Sequence, residues 1–458
     1  MKRQKMRWLS IAAGVGLLAS ACTAGGSESS VATVDPSASN APVTVELTGE
    51  WTSKRECTEW QNSFKDGFES TYPWITVDAK CGVTEEQQIA AINAGNPPDV
   101  FLSFGVDNVG KFCDTGAWTD LNQYIDDPDV GFDRSIFPTA ALTYTSFEGT
   151  QCSLPFLTDT TGLYYNLDLF EQAGLSGPPT TTDELTEYSK ALTEFNPDGS
   201  IAVAGFVPVT NYYCCSSNLL NLGHMFGASY LDDSGAPAYA SDPAWAEMFQ
   251  WQHDFIAEVY GDGDFQTGAD KLQKFVAGAG NEWGAPQDFQ KGRVAMQIDG
   301  EWRNAFLADL APDVNYDTAP LPTSPTTTDR YGSGVAGGTV IGMPKGAAHP
   351  AEAWLLLKYL ATNTDTLVYM ANFVNNVPTT NDAIASPDLS LPEQFGTFME
   401  AFGHPESAYR PTTVLGEELE QALVDFAADW QAGDATDLQA GLDAATQQTQ
   451  NALDQAQL

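Results

Sequence analysis

The sequence predicts an α/β protein built on mainly parallel sheets, and three observations carry that reading. Between Val43 and Leu102, strand-like and helix-like stretches alternate as βαβαβ, the order that builds a parallel sheet with helices on its faces. A second α/β unit begins near Leu154. The 458 residues are enough for two or three cores, and aromatic residues and acids recur just past the ends of strands, where open α/β sheets bind their ligands.

The elements follow in order. Lys2, Arg3, Lys5 and Arg7 precede an apolar run from Trp8 to Leu18 that is too short to span a bilayer, then Ala19-Ser20-Ala21-Cys22. Residues 1–21 read as a signal peptide. The small residues before Cys22 resemble a bacterial lipoprotein signal, in which the cysteine becomes the lipidated first residue, with Ala19 in place of the usual leucine. Residues 22–42 are rich in Ser, Ala, Gly and Thr, a composition that buries no core, and read as a flexible tether with a reach of about 25 Å.

Val43 to Leu47 is the first strand, and a helix from Ser53 to Glu69 presents Trp60, Phe64 and Phe68 on one face. Trp74 to Ala79 is a second strand, a helix through Ile89 and Ile92 follows, and Pro98 to Leu102 is a buried strand that delivers Ser103 and Phe104 at its end. Beyond Leu154 come a strand Leu163–Asn166, a helix opened by Thr181 and Glu184 as a capping box, a strand Ala202–Val207 and a helix Pro243–Val259. Then comes FQKGRVAMQIDGEW, Phe289 to Trp302: Val294, Met296 and Ile298 put one face of a strand into a core, and Gly300 ends it. Strands Tyr316–Leu321 and Val335–Met343, an apolar helix Ala351–Ala361 and a helical tail from Glu417 to Leu458 complete the chain.

The formal net charge of −41 makes nucleic acid an unsuitable partner and argues against an anionic ligand held by a basic field. Such acidity suits a solvated secreted surface. Besides Cys22 there are six cysteines, an even number, which points to disulfides outside the cytosol. Nearest neighbours pair Cys57 with Cys81 and Cys113 with Cys152; Cys214 and Cys215 bond to each other, stay reduced and buried, or pair elsewhere. No CxxC pair and only four scattered histidines argue against zinc, and Asp126, Asp127, Asp129 and Asp133 lack the spacing of a calcium loop, so neither a metal nor a cofactor is expected. No GxSxG, HExxH or P-loop motif occurs.

What remains is aromatic rings and acids gathered at strand ends: Trp51, Phe104, Asp107, Asp159, Tyr212, Tyr213, Trp283, Glu301, Trp302 and Tyr331, with Gly337 and Gly338 in the strand Val335–Met343. That set suits a sugar, whose C–H face packs on an aromatic ring while its hydroxyls need paired acceptors and donors. Glu301 either accepts a sugar hydroxyl or caps the following helix. A secreted glycoside hydrolase using two of the many carboxylates is the competing function.

Phe68–Val77 (FESTYPWITV), Ala94–Val100 (AGNPPDV), Leu163–Gly174 (LYYNLDLFEQAG), Phe289–Trp302 and Val335–Leu360 resemble the extracellular solute-binding proteins of carbohydrate ABC importers, the group that includes maltose-binding protein. The resemblance implies a two-lobed, type II periplasmic-binding-protein-like fold. One lobe is expected over 43–153 plus 339–378, the other over 154–334 plus 382–458, with a hinge and a sugar-binding cleft between them. It implies a monomer, lipid-anchored at the outer face of the cell membrane, that delivers its sugar to an ABC permease. By position, Trp302 matches the family's stacking tryptophan, Asp159 and Asp107 match acids that contact hydroxyls, and Tyr212 and Tyr213 match an aromatic platform. Cys214-Cys215 is a departure from the family pattern.

Overall fold

The computed structural model describes residues 40–456 except 129, 139, 140, 143, 211 and 214–217. The expected signal peptide, Cys22 and the Cys214-Cys215 pair lie outside the described residues.

A nine-stranded mixed sheet organises the chain. Its first strands are β1 (Val43–Gly49), β2 (Ile75–Cys81) and β3 (Val100–Ser103), with β1 parallel to both β2 and β3. Next in sequence is a 14-residue strand, β4 (Ser153–Asn166), followed by β5 (Met296–Gly300), β6 (Tyr316–Ala319), β7 (Val335–Gly342), β8 (Val377–Pro378) and β9 (Ala408–Tyr409). The long strand is the seam. From Ser153 to Thr160 it runs antiparallel to β7, which in turn pairs with β3; from Thr161 onward it pairs antiparallel with β5 and β6. The mainly parallel reading therefore describes the β1–β3 end, and antiparallel pairs surround β4.

Two helices on the first end follow from local signals. Helix α1 (Lys54–Thr71) starts at a complete capping box, Ser53 with Glu56, and buries Trp60, Phe64 and Phe68, the stripe expected from the sequence. Helix α2 (Glu85–Asn93) starts at a second box, Thr84 with Gln87. Disulfides join Cys57 to Cys81 and Cys113 to Cys152, the pairs expected from proximity. The run AGNPPDV proves to be a brace: buried Asp99 accepts from the backbone N–H of Glu46 at 3.0 Å and of His349 at 2.8 Å, locking β1 to the start of the helix Pro350–Thr362.

The other end is thicker. Trp245, Phe249, Phe255, Leu272 and Phe426 share its core, and α3 (Leu219–Phe226) is buried along its length. Three expectations change here. The strand expected over 202–207 is only Ile201–Val203, in a hairpin with Glu194–Phe195 outside the main sheet; beyond it Ala204 and Gly205 bridge the residues leading into β5 for a single rung, with Gly205 packed against the Ser189 backbone. Thr181 caps its helix by accepting from the Glu184 N–H, but the Glu184 carboxylate turns to Thr180, so the box is half formed. The helical tail is two helices, Gln421–Ala432 and Leu438–Ala456, separated at Gly433, whose φ of 80° ends the first in the left-handed region that glycine tolerates. Among the described residues no helix is long and apolar enough to cross a membrane.

Candidate functional site

At the midpoint of β4, where its partner changes from β7 to β5, a cleft of about 350 Å³ opens. One side is built by the end of β5. Gly300 pairs with Thr161, and a Cβ on Gly300 would overlap the six-membered ring of Trp302; glycine lets the indole fold back over this rung and face the cleft. The next helix, α4 (Arg303–Leu310), is pinned by a buried ion pair of 2.7 Å between Arg303 and Asp299, so the tryptophan sits on a rigid turn. Thr160, Thr161 and Asn221 line the same side, with the Thr161 hydroxyl donating to the Asn221 side-chain oxygen at 2.7 Å.

Beneath Trp302 lies a buried carboxylate pair. Glu301 neither caps α4 nor reaches the cleft: its carboxylate accepts from the Thr160 N–H at 2.8 Å and from the Asn376 amide at 3.0 Å, and it is fully buried. The same Asn376 amide donates to Asp159, which does line the cleft. Burial raises the pKa of both acids above the ordinary carboxylate range, and the charge of Asp159 raises Glu301 further.

The opposite side is acidic. Phe104, 45% exposed, stands at the end of β3 with its N–H donating to Glu50 at 2.5 Å. Glu85, the first residue of α2, accepts from the Ser103 hydroxyl and the Asn108 amide, and its carboxylate covers Gly105, where a Cβ would collide with it. Burial, against these hydrogen bonds and with repulsion from Glu50 and Glu417, pushes the Glu85 carboxyl up to about 8. Asp107 pairs with Arg410, which also lies 3.7 Å from Glu420; burial pushes Asp107 up to about 6 despite the guanidinium. Glu86 and Glu417 complete this wall.

Of the residues singled out from the sequence, Phe104, Asp107, Asp159, Trp302, Gly337 and Gly338 come together in the cleft. The others do not. Trp51 is buried behind Phe104, edge-on at 4.9 Å. Tyr212 is a core residue whose hydroxyl donates to Asp288 at 3.1 Å, and the Tyr213 hydroxyl accepts from the Asp288 N–H at 3.0 Å, so the pair braces a turn instead of offering a platform. Trp283 is 50% exposed but packs on Phe306 and the Arg303 guanidinium, outside the cleft. Tyr331 sits in a turn bridged to Ser333 and is not a lining residue. Sequence reasoning missed Glu50, Glu85, Glu86, Arg410, Glu417, Asn221 and Asn376.

Residues 52–366 match the bacterial extracellular solute-binding proteins. The chain belongs to that family. A binding protein of Brucella abortus is 25% identical over 306 residues, 65% of this chain and 67% of that protein. The sn-glycerol-3-phosphate-binding periplasmic protein of Rhizobium meliloti is 25% identical over 277 residues, covering 58% and 57%. Among solved structures, CpMnBP1 with mannotriose bound superposes with a TM-score of 0.76 at 26% identity, covering 89% of this chain and 100% of that one. T. maritima MalE3 with maltose bound gives 0.71 at 21% identity, covering 90% and 100%, a likeness of fold. This member of the solute-binding family therefore has the two-lobed, type II α/β architecture, and its relatives are binding proteins.

Proposed function

We propose that the protein captures a mono- or oligosaccharide in the cleft around Trp302 and delivers it to a membrane-embedded ABC permease. One observation carries the reading: an indole held rigidly over Gly300 faces a cleft whose polar groups are mostly carboxylates, amides and hydroxyls, the pairing of a flat apolar face with polar partners that a pyranose requires. The match to mannotriose-bound CpMnBP1 over nearly the whole chain supports it. Phosphate esters, the ligand class in the name of the Rhizobium meliloti relative, fit poorly, because the one cation that lines the cleft among the described residues, Arg410, is engaged by Asp107 and Glu420.

On this reading the lobes are 43–153 plus 339–378 and 154–334 plus 382–458, the chain crosses between them at the start of β4, within β7 and just after β8, and closure on the sugar is what the permease senses. Cys22 carries a lipid that holds a monomer at the extracellular face of the membrane, and residues 22–42 are its tether. Titration calorimetry of the purified protein against a panel of neutral, amino and acidic sugars that includes mannotriose tests the proposal. A stoichiometric sugar ligand is expected; turnover of a labelled oligosaccharide, or binding only to a phosphate ester, contradicts it.

A further inference from the structure

The acidic wall offers a sugar many acceptors and few donors. A hydroxyl both donates and accepts, so it is best matched by groups of mixed character such as the amides and hydroxyls beside Trp302. Ionised carboxylates only accept. Among the described residues Glu50, Glu85, Glu86 and Glu417 have no Lys, Arg or His in ion-pair contact, and Arg410 is already shared by two acids. These carboxylates are not loose surface groups: Glu50 is held by the Phe104 N–H, and Glu85 by Ser103 and Asn108 while it covers Gly105.

Asp107, 8% exposed, also lines the cleft; one oxygen takes Arg410, and Oδ1, itself shielded from solvent, has no hydrogen-bond partner, so this side of the cleft holds more acceptors than donors. A donor-only, positively charged group answers the unpaired carboxylates of the wall. An ammonium fits better than a metal ion, because among the described residues no three acids converge on a metal-sized point. The exposed Phe104 ring beside Glu50 adds a π face for the same cation.

We propose that the sugar this cleft takes carries a protonated amine, an amino sugar or its oligomer, with the ammonium among Glu50, Glu85 and Glu417 and the ring on Trp302. This rests on the reading of the cleft as a sugar site. In the empty cleft the proton that Glu85 retains partly does the cation's work, so binding expels it.

The test is calorimetry of the purified protein with glucosamine and its β-1,4-linked dimer and trimer, each beside its N-acetylated and its all-hydroxyl counterpart. The amine forms are expected to bind about tenfold or more tightly than either counterpart. That advantage should shrink as salt is raised, and it should be lost in the double variant Glu85→Gln, Glu417→Gln, with folding checked by circular dichroism. Heats that vary with buffer ionisation would report the expelled proton. If neutral counterparts bind as tightly as the amines, this inference falls and the sugar reading stands. If no sugar of either kind binds, both fall. Calcium bound by the cleft without sugar, and lost in the same double variant, also overturns it.

Discussion

The two walls of the cleft solve different problems. The wall of Trp302, Thr160, Thr161 and Asn221 is neutral, and its shape is fixed by backbone: a strand pair, a glycine that yields space to an indole, and a buried Asp299–Arg303 pair behind it. The wall of Glu50, Glu85, Glu86 and Glu417 is acidic, and its carboxylates hang on a few hydrogen bonds: Glu50 on the Phe104 N–H, Glu85 on the Ser103 hydroxyl and the Asn108 amide, and Glu86 on the Thr84 hydroxyl. The contrast teaches that acids next to Trp302 in sequence, Asp299 and Glu301, are tied up in buried structural bonds, whereas acids far from it in sequence line the cleft.

The largest effect on affinity should come from the neutral wall. Trp302→Ala should weaken sugar binding about 30-fold, roughly 2 kcal/mol, with little change in circular dichroism. An affinity within a factor of two of the parent would remove the indole from the site.

Glu301 distinguishes a brace from a ligand group. Glu301→Ala leaves the Thr160 N–H without its acceptor and the Asn376 amide with Asp159 alone, and should cost about 2–4 kcal/mol in denaturant unfolding. Glu301→Gln keeps one of the two accepting oxygens, so it should cost about 1 kcal/mol less than Glu301→Ala. A loss below about 0.5 kcal/mol in Glu301→Ala would mean that the carboxylate is no brace.

The acidic wall should appear in the pH dependence of the ligand-free protein. The folded state binds the Glu85 proton more tightly than the unfolded chain does, as it does for the Asp159–Glu301 pair. Such groups stabilise fully below the unfolded pKa, and that stability is lost as pH rises toward the folded value, about 8 for Glu85. Tm should therefore fall by about 2–5 °C between roughly pH 5 and pH 8, and saturating ligand should reduce the fall. A Tm that rises across this window would contradict the assignment.

The smallest effects belong to aromatics outside both walls. Trp283→Ala should leave sugar affinity within about twofold, and Tyr212→Phe, which removes the hydroxyl bonded to Asp288, should cost about 0.5–1.5 kcal/mol of stability without altering affinity. A tenfold affinity loss in either would extend the site beyond the cleft.

The sequence was most legible where one rule suffices. Strand–helix alternation located β1 to β3 and α1, and proximity named both disulfides. Strand-end position found Phe104 and Trp302, but the same rule admitted Trp51, Tyr212 and Tyr213, because position does not say whether a ring turns toward solvent or back into the core. The acidic wall was hidden for definite reasons. Glu85 directly follows a capping threonine, where an acid also serves the helix dipole, so its sequence context is that of any helix start. Glu417 reaches the cleft through the Asn108 side chain, a contact 309 residues apart. Glu50 was within reach, since it follows β1 as Trp302 follows β5, and an acid there deserved the attention given to the ring beside it.

The most direct test of the central claim is a crystal structure of the protein with the tightest sugar from the calorimetric panel. It should place a pyranose face on the Trp302 indole, hydroxyls toward Thr161 and Asn221, and its amine among Glu50, Glu85 and Glu417. A sugar bound away from Trp302, or one whose polar groups leave the acidic wall to water, would contradict it.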